Sequence, residues 1–196
     1  VIMTPIAFRI AHSSDAAEIL QIYAHYVEQT AITLDTVVPS IADFQAKITT
    51  TLERYPFIVA VQANKIVGYA YASAFNYRNA YDWSAELSIY LLPTMRKQGL
   101  GSRFYSLLED IAKAQNITNL NACITYPRTK DDPHVTLASV NFHEKRGFNL
   151  CGHFHKCAYK FDRWYDMVWM EKQILPHSDS PAPIKPFNQI AKQFFS

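Results

Sequence analysis

The sequence predicts an α/β or α+β chain in which helices flank one mixed sheet. Segments whose apolar residues recur at helical spacing alternate with segments that have a strand-like repeat of two, from Phe8 to Lys172. Two of the strands are separated only by Asn64-Lys65, which is typical of a β-hairpin and makes the sheet at least partly antiparallel. No repeat of fixed period interrupts this order.

The N-terminal half contains recognisable start and stop signals. Ser13-Ser-Asp15 with Glu18 predicts the start of a first helix, and Ser40-Ile-Ala-Asp43 the start of a second. Pro56 ends the second helix, because proline has no N–H to donate. The predicted elements are a strand around Phe8 and Ile10, helices that end near Gln29 and Tyr55, hairpin strands Phe57–Ala63 and Ile66–Phe75, an aromatic loop Asn76–Trp83, and a strand Ser84–Leu91.

The C-terminal half predicts two helices, three strands and a tail. The elements are helices over Gly101–Gln115 and Thr136–Lys145, and strands over Leu120–Thr125, Phe148–Lys160 and Trp164–Lys172. We expect one domain over residues 7–174. Four of the ten prolines lie in residues 175–196, which therefore predict an extended tail with a short amphipathic helix. This tail packs against the domain or a second subunit, or it frays.

Composition excludes several classes of function. Nineteen Lys and Arg against seventeen Asp and Glu give a net charge of +2, well short of a nucleic-acid-binding footprint. No apolar run approaches the roughly 20 residues of a membrane span. The first residues lack the features of a signal peptide, and we expect Met3 to be the natural start. With three cysteines, no disulfide framework is expected, so we predict a cytoplasmic protein without nucleic-acid or membrane partners.

The strongest local signal lies between a predicted strand and an amphipathic helix. A helix N-terminus has unpaired N–H groups and a partial positive charge, and glycines let a phosphate approach the backbone. The segment is neither a Walker A loop nor a dinucleotide fingerprint, because it lacks Gly-Lys-Ser/Thr and a third glycine. It predicts a pyrophosphate site at Arg96, Lys97, Gln98, Gly99, Leu100, Gly101 and Ser102.

This loop has the pattern Q/R-x-x-G-x-G/A and resembles the acetyl-CoA signature of the GNAT acetyltransferase superfamily. Further segments resemble its phosphinothricin and methionine sulfoximine/sulfone N-acetyltransferases: Tyr55-Pro-Phe57, Gly68-Tyr-Ala-Tyr71, Tyr77-Arg-Asn-Ala-Tyr-Asp-Trp83, the strand with Glu86 and Tyr90, Phe142-His-Glu-Lys-Arg-Gly-Phe148 and Tyr159-Lys160. The resemblance covers about Phe8 to Ile174. It implies a mostly antiparallel sheet splayed at its middle, acetyl-CoA as co-substrate, a homodimer, and acetylation of the α-amino group of a small amino acid analogue.

Two residues are candidates for proton transfer. Acetylation needs a neutral amine, so a base must remove a proton directly or through water. Glu86 lies in a strand among apolar residues, where burial raises the pKa of a carboxyl. The alternatives for Glu86 are a structural salt bridge or a water-facing edge position. The resemblance places His143 where many GNAT enzymes have a tyrosine near the leaving thiolate, so His143 is a rival base, a later acid or a structural histidine.

Other residues are assigned to the two ligands. Arg78 and Tyr81 are predicted substrate contacts, because a guanidinium binds carboxylate, sulfur or phosphorus oxygens in bidentate fashion. A solvent-facing arginine and a packing tyrosine are the alternative. The resemblance implies that the pantetheine arm pairs with the strand backbone at Ile89, Tyr90 and Leu91, where N–H groups near Tyr90 polarise the thioester. It also places Thr136 where many relatives hold the cofactor with asparagine.

The cysteines and histidines receive no catalytic or metal role. Direct transfer needs no enzyme nucleophile, so Cys123 is predicted to be a small buried apolar residue. A metal site could be suspected on one strand, where a cysteine or histidine occupies every second position: Cys151, His153, His155 and Cys157. Same-face residues of one strand are roughly 6 to 7 Å apart, too far to close around one ion, so no metal is predicted.

The acceptor is less constrained than the donor. Leu34 stands where relatives often have an aromatic residue, and the segment 128–135 is longer than its counterpart. Two alternatives therefore stay open: a GNAT enzyme for another amine, such as another amino acid or a peptide N-terminus, and a non-catalytic acyl-CoA-binding protein.

Overall fold

The computed structural model describes residues 4–196, so the expected start at Met3 lies outside the described residues. The strands are β1 (Ala7–Ile10), β2 (Phe57–Gln62), β3 (Lys65–Ala74), β4 (Ser84–Leu91), β5 (Asn119–Tyr126), β6 (Asn149–Lys160) and β7 (Arg163–Gln173). The helices are α1 (Ala16–Gln29), α2 (Ile41–Arg54), α3 (Leu100–Ala114), α4 (Ala138–Lys145) and α5 (Phe187–Ile190). Within residues 4–196, no helix combines the length and the apolar character that crossing a membrane requires.

The strands form one sheet in the order β1-β2-β3-β4-β5-β7-β6. Every neighbouring pair is antiparallel except β4 and β5, which run parallel. This parallel pairing covers only residues 84–86 of β4 and 119–121 of β5, although both strands continue for several residues. The sheet therefore opens at its middle beyond Glu86, and the predicted mixed, mostly antiparallel, splayed sheet is confirmed.

The two predicted helix starts differ in outcome. Ser40 caps α2, because its hydroxyl accepts the N–H of Asp43 and the Asp43 carboxylate accepts the N–H of Ser40, both at 3.1 Å. The predicted start of α1 is right in position but not in its contacts. Ser13–Asp15 forms a short 3₁₀ turn, and α1 begins at Ala16 with Asp15 as its N-cap residue. The Asp15 carboxylate accepts the N–H of His12 and binds Arg9, both at 2.7 Å, and Glu18 accepts the N–H of Ile66, so neither carboxylate caps α1.

The hairpin turn lies one residue earlier than predicted. Gln62 pairs directly with Lys65, so the two turn residues are Ala63 and Asn64. Both have positive φ angles, 50° and 61°, as a two-residue turn that matches the twist of the strands requires. Lys65 belongs to β3 because its pairing with Gln62 continues the ladder.

Two apolar layers cover the two faces of the sheet. One contains α3 and the buried side chains Ala85 and Leu87 of β4. The other contains α1 and α2, with Phe44 and Ile48 of α2 packed against the tyrosines of β3. Because side chains alternate along a strand, Glu86 and Ser88 point to the α1/α2 face, as the sequence pattern predicts.

The tail packs against its own domain. Phe187 and Ile190 are buried in the layer that contains α3. The indole N–H of Trp83 donates to the carbonyl of Ala182 at 2.8 Å. The N–H of Lys185 donates to the carbonyl of Gln115, whose side-chain amide donates in turn to the Lys185 carbonyl. Of the three placements left open by the sequence, the structure shows the first.

Candidate active site

A cleft opens where β4 and β5 separate. Its walls are Leu87–Tyr90 of β4, Ala122–Thr125 of β5, Tyr105 of α3, and Ser139 and His143 of α4. Glu86 is the last residue of β4 that pairs with β5, directly before the lining residue Leu87, and its side chain lies on the α1/α2 face. The cleft thus brings predicted residues from β4 and α4 together with Tyr105, which the sequence pattern did not indicate.

The backbone of β4 is partly available to a ligand. The N–H of Leu92 donates to Val67 on β3, so by alternation Ile89 and Leu91 direct their backbone groups away from β3 and Tyr90 directs its groups toward it. Leu91 is already engaged, because its N–H donates to the hydroxyl of Tyr26 at 3.2 Å and its carbonyl accepts from that hydroxyl. Among the three predicted backbone contacts, Ile89 therefore faces the cleft without a strand partner.

The glycine loop forms a cradle of backbone donors at the start of α3. Gly99 is the N-cap and has a φ of 77°, a left-handed conformation that glycine adopts at little cost. No backbone N–H from Lys97 to Ser102 donates to another group of residues 4–196. Arg96 and Lys97 are exposed, and the Arg96 guanidinium lies 5.2 Å from the ring centre of Tyr26. Free N–H groups at a helix N-terminus and two nearby cations suit a phosphate ligand.

Three residues of this segment have structural roles beside the cradle. A Cβ on Gly101 would lie 3.4 Å from the Phe142 ring, so glycine allows α3 and α4 to approach closely. The side-chain amide of Gln98 donates to the Thr94 carbonyl at 2.7 Å and steadies the loop. Leu100 is buried and anchors the first turn of α3 in the core.

Glu86 is half-buried and carries no counter-ion. Within residues 4–196 its carboxylate forms neither an ion pair nor a hydrogen bond, so the structural salt bridge considered as an alternative is not formed. Burial raises the pKa of Glu86, and the positive charge of Lys47 on α2 opposes this increase. A carboxylate with a raised pKa beside a cleft is a suitable proton acceptor.

His143 is buried and held in one tautomer. Its Nδ1 lies 2.7 Å from the Ser139 carbonyl, which can only accept, so Nδ1 carries the proton. Its Nε2 therefore accepts from the Tyr105 hydroxyl at 2.7 Å. Burial lowers the pKa of His143 to about 4, so the imidazole is neutral at pH 7. Both His143 and Tyr105 line the cleft.

The other predicted ligand contacts are exposed. Arg78 has no carboxylate partner within residues 4–196, and its guanidinium lies 5.7 Å from the ring centre of Tyr77. Tyr81 packs its ring against Phe75 at 5.8 Å, and no hydrogen bond or ion pair joins Arg78 or Tyr81 to Glu86 in this part of the chain. The Thr136 hydroxyl accepts the N–H of Ala138 at 3.2 Å and thereby steadies the start of α4.

The prediction that Cys123 is buried is wrong. Asn121 pairs with Glu86, so Cys123, two residues further along β5, lies on the face of Glu86 and is exposed at the cleft. Desolvation by surrounding protein atoms and the charge of Glu86 raise the pKa of its thiol to about 12. The alternation of Leu120, Ala122 and Ile124 toward the opposite core was the signal that could have placed Cys123 here.

The cysteine and histidine pattern on β6 does not keep one face. The strand is irregular between Phe154 and Ala158, which breaks the alternation. The rings of His153 and His155 stack with centres 4.2 Å apart, closer than the backbone spacing of the two residues. The assumption of even spacing along this strand is therefore wrong.

These two histidines lie beside the buried carboxylate of Asp166. One potential ligand atom from each of the three residues lies within 4.8 Å of the others, a spacing that could hold a metal ion. However, Arg128 and the N–H of Lys156 both bind one oxygen of Asp166 at 2.7 Å, and His153 lies 2.9 Å from the other oxygen. Because a guanidinium already neutralises the carboxylate, we interpret the group as an ion pair.

Comparison with known proteins identifies the family. The family model described as an acetyltransferase (GNAT) domain matches residues 8–169. A phosphinothricin N-acetyltransferase from Streptomyces viridochromogenes is 31% identical over 187 residues, or 95% of this chain and 97% of the relative. An L-methionine sulfoximine/L-methionine sulfone acetyltransferase from Salmonella typhimurium is 27% identical over 179 residues, or 89% of this chain and 98% of the relative.

A solved structure from the same family has the same fold. The crystal structure of a GNAT superfamily phosphinothricin acetyltransferase from Sinorhizobium meliloti in complex with acetyl-CoA matches with a TM-score of 0.79 and 28% identity. The match covers 93% of this chain and 98% of that structure. The splayed sheet, the donor cradle before α3 and the family match over most of the chain lead to one conclusion: the protein belongs to the GNAT family of acetyltransferases.

Proposed function

We propose that the protein transfers the acetyl group of acetyl-CoA to the α-amino group of a small amino acid analogue of the phosphinothricin, methionine sulfoximine or methionine sulfone type. The unpaired, half-buried carboxylate of Glu86 at the opening of the sheet is the observation that carries this proposal. The activities named for the two relatives support the acceptor class.

Acetyl-CoA is proposed to bind with its pyrophosphate on the N–H groups from Lys97 to Ser102. The pantetheine arm then enters the cleft beside β4, and the free N–H of Ile89 polarises the thioester carbonyl. Such a donor stabilises the oxyanion that forms when the amine attacks. The Thr136 hydroxyl, at the start of α4, is proposed as a further cofactor contact.

The proton balance assigns a role to Glu86. The acceptor enters as an ammonium and loses one proton to Glu86, directly or through water, before its nitrogen attacks the thioester carbon. The tetrahedral intermediate loses the second proton of the nitrogen and expels the CoA thiolate, which takes up one proton. One proton is released overall, and no covalent enzyme intermediate is formed.

Tyr105 and His143 are proposed to act as one unit. Both residues line the cleft, and the hydrogen bond to Nε2 of His143 fixes the orientation of the Tyr105 hydroxyl. We expect Tyr105→Phe and His143→Ala each to lower kcat about tenfold or more, since the first removes the hydroxyl and the second removes the acceptor that orients it. The double variant should be no slower than the slower single variant, which steady-state kinetics and a double-mutant cycle can measure. Multiplicative losses would contradict the proposed unit.

Arg78 and Tyr81 are proposed to bind the oxidised sulfur or phosphorus group of the acceptor. The test is release of the CoA thiol with methionine sulfoximine, methionine sulfone, phosphinothricin and a panel of ordinary amines. We expect turnover selective for the first three and a large loss of that selectivity in Arg78→Ala. Turnover only with another amine would change the acceptor, and no turnover with any amine would favour an acyl-CoA-binding protein.

The homodimer stays a prediction, and the mass of the protein in solution tests it. The hairpin of β6 and β7 forms the edge of the sheet and presents apolar side chains that are 50–55% exposed: Leu150, Phe154, Tyr159 and Trp164. An exposed apolar edge is a common interface between subunits. We propose that a second copy of the chain covers it.

A further inference from the structure

Lys47 is a cation that the mechanism above does not use. It lies on α2, is exposed, and donates from its ammonium to the Tyr71 hydroxyl at 2.8 Å. The same ammonium lies 4.5 Å from the centre of the Tyr71 ring. Within residues 4–196 Lys47 forms no ion pair with a carboxylate, so its charge is available to a ligand.

The register of the sheet places Lys47 on the same face as Glu86. Tyr71 pairs with Ser88, and Ser73 pairs with Glu86, so Tyr71 and Glu86 are diagonal neighbours whose side chains share one face. The helix that carries Lys47 packs on this same face. An uncompensated cation and an uncompensated carboxylate thus flank one short stretch of β3 and β4.

This pair of charges matches one chemical class of acceptor. A free α-amino acid has its ammonium and its carboxylate on the same carbon atom, so the groups that bind them must also be close neighbours. We propose that Lys47 binds the α-carboxylate of the acceptor while Glu86 receives the proton of its α-ammonium. The inference rests on the proposed function and narrows it to free α-amino acids, because a peptide N-terminus or a simple amine lacks that carboxylate.

Lys47 and Arg78 then bind two different parts of the acceptor, which a single arginine could otherwise bind alone. Arg78 lies in the loop before β4 and, within residues 4–196, forms no hydrogen bond or ion pair with Glu86, whereas Lys47 is held beside Tyr71 on the Glu86 face. Lys47 then binds the α-carboxylate that all α-amino acids share, and Arg78 binds the variable side chain of the acceptor. Loss of Lys47 should therefore change the preference for substrates with an α-carboxylate, and loss of Arg78 the preference among acceptor side chains.

The test compares L-methionine sulfoximine with its α-carboxamide, which keeps the amine and the side chain. In Lys47→Met we expect the ratio of kcat/KM for the acid to that for the amide to fall about 10- to 100-fold, mainly through KM of the acid. Lys47→Arg should restore much of the ratio, and Lys65→Met, at an exposed lysine of β3, should leave it unchanged. An unchanged ratio in Lys47→Met overturns the inference.

A second readout separates this role from a structural one. Removing the charge of Lys47 raises the pKa of Glu86, whose charge also acts on Tyr105 and Cys123, so the acidic limb of the pH–rate profile should move to higher pH. Because Lys47 is exposed, the thermal unfolding midpoint should stay the same. A lowered midpoint with an unmoved pH profile would assign Lys47 to stability and overturn the inference.

Binding keeps this inference distinguishable from the proposed function. Calorimetry measures the affinity of L-methionine sulfoximine for the native protein saturated with CoA, where no transfer occurs. Binding that is lost in Lys47→Met supports the inference even if the proposed turnover fails. Equal binding to both proteins overturns the inference while the proposed function stands. No binding to the native protein overturns both the inference and the proposed function.

Discussion

Replacing Glu86 by glutamine is expected to lower kcat by about 100- to 10,000-fold, the range that a positioned general base contributes. Glutamine has nearly the same shape but cannot accept the proton of the ammonium. The KM for acetyl-CoA should change little, because the proposed cofactor contacts lie on the loop before α3 and on the backbone of β4. Thiol release under saturating substrates measures the effect.

The pH dependence gives this prediction a second arm. Burial raises the pKa of Glu86 above its ordinary value, so the activity of the native protein should be lost as the pH falls through that raised pKa. The corresponding acidic limb should be absent from the residual activity of Glu86→Gln. Glu171→Gln, at an exposed position of β7, is the matched control. A Glu86→Gln protein with near-native kcat would remove Glu86 from the mechanism.

Replacing Ser102 by aspartate is expected to raise the KM for acetyl-CoA by about 10- to 100-fold, since a unit charge close to the pyrophosphate repels it by about 1–3 kcal/mol. The substitution should not destabilise the fold. Ser102 lies in the first turn of α3, where a negative side chain interacts favourably with the helix dipole. Loss of cofactor affinity is thus expected without loss of thermal stability.

Ser102→Asn is the control for this experiment, because asparagine has the shape of aspartate without its charge. Titration of each variant with acetyl-CoA at low and high ionic strength gives the measurement. We expect a large effect of aspartate that salt reduces, and a small effect of asparagine that salt leaves unchanged. Equal effects of both substitutions would mean that size, and not the charge of a nearby phosphate, determines the result.

The parts of the site with local signals could be predicted from the sequence. The cradle at Gly99 and Gly101 depends on a loop and the helix that directly follows it, so neighbouring residues specify it. Glu86 stands out as a charge in an apolar strand. The opening of the sheet is not local, and its prediction depended on the family resemblance.

Residues whose role depends on distant packing had no such signal. Lys47 looks like an ordinary charge on the solvent side of an amphipathic helix until α2 is placed over the face of Glu86. Tyr105 looks like one more apolar position of α3 until its hydroxyl is found hydrogen-bonded to His143. Tertiary contacts also redirected Asp15 toward Arg9, and an irregularity in β6 brought His153 against His155. Spacing along the chain specifies none of these contacts.

In the proposed reaction, the raised pKa of the Cys123 thiol protects the enzyme from acetylation by its own co-substrate. Cys123 stands on the wall of a cleft proposed to hold an activated acetyl ester, and a thiolate there would compete with the acceptor and become acetylated itself. With a pKa of about 12, the thiol is almost entirely protonated at pH 7. Self-acylation is therefore suppressed by desolvation, the same effect that raises the pKa of Glu86.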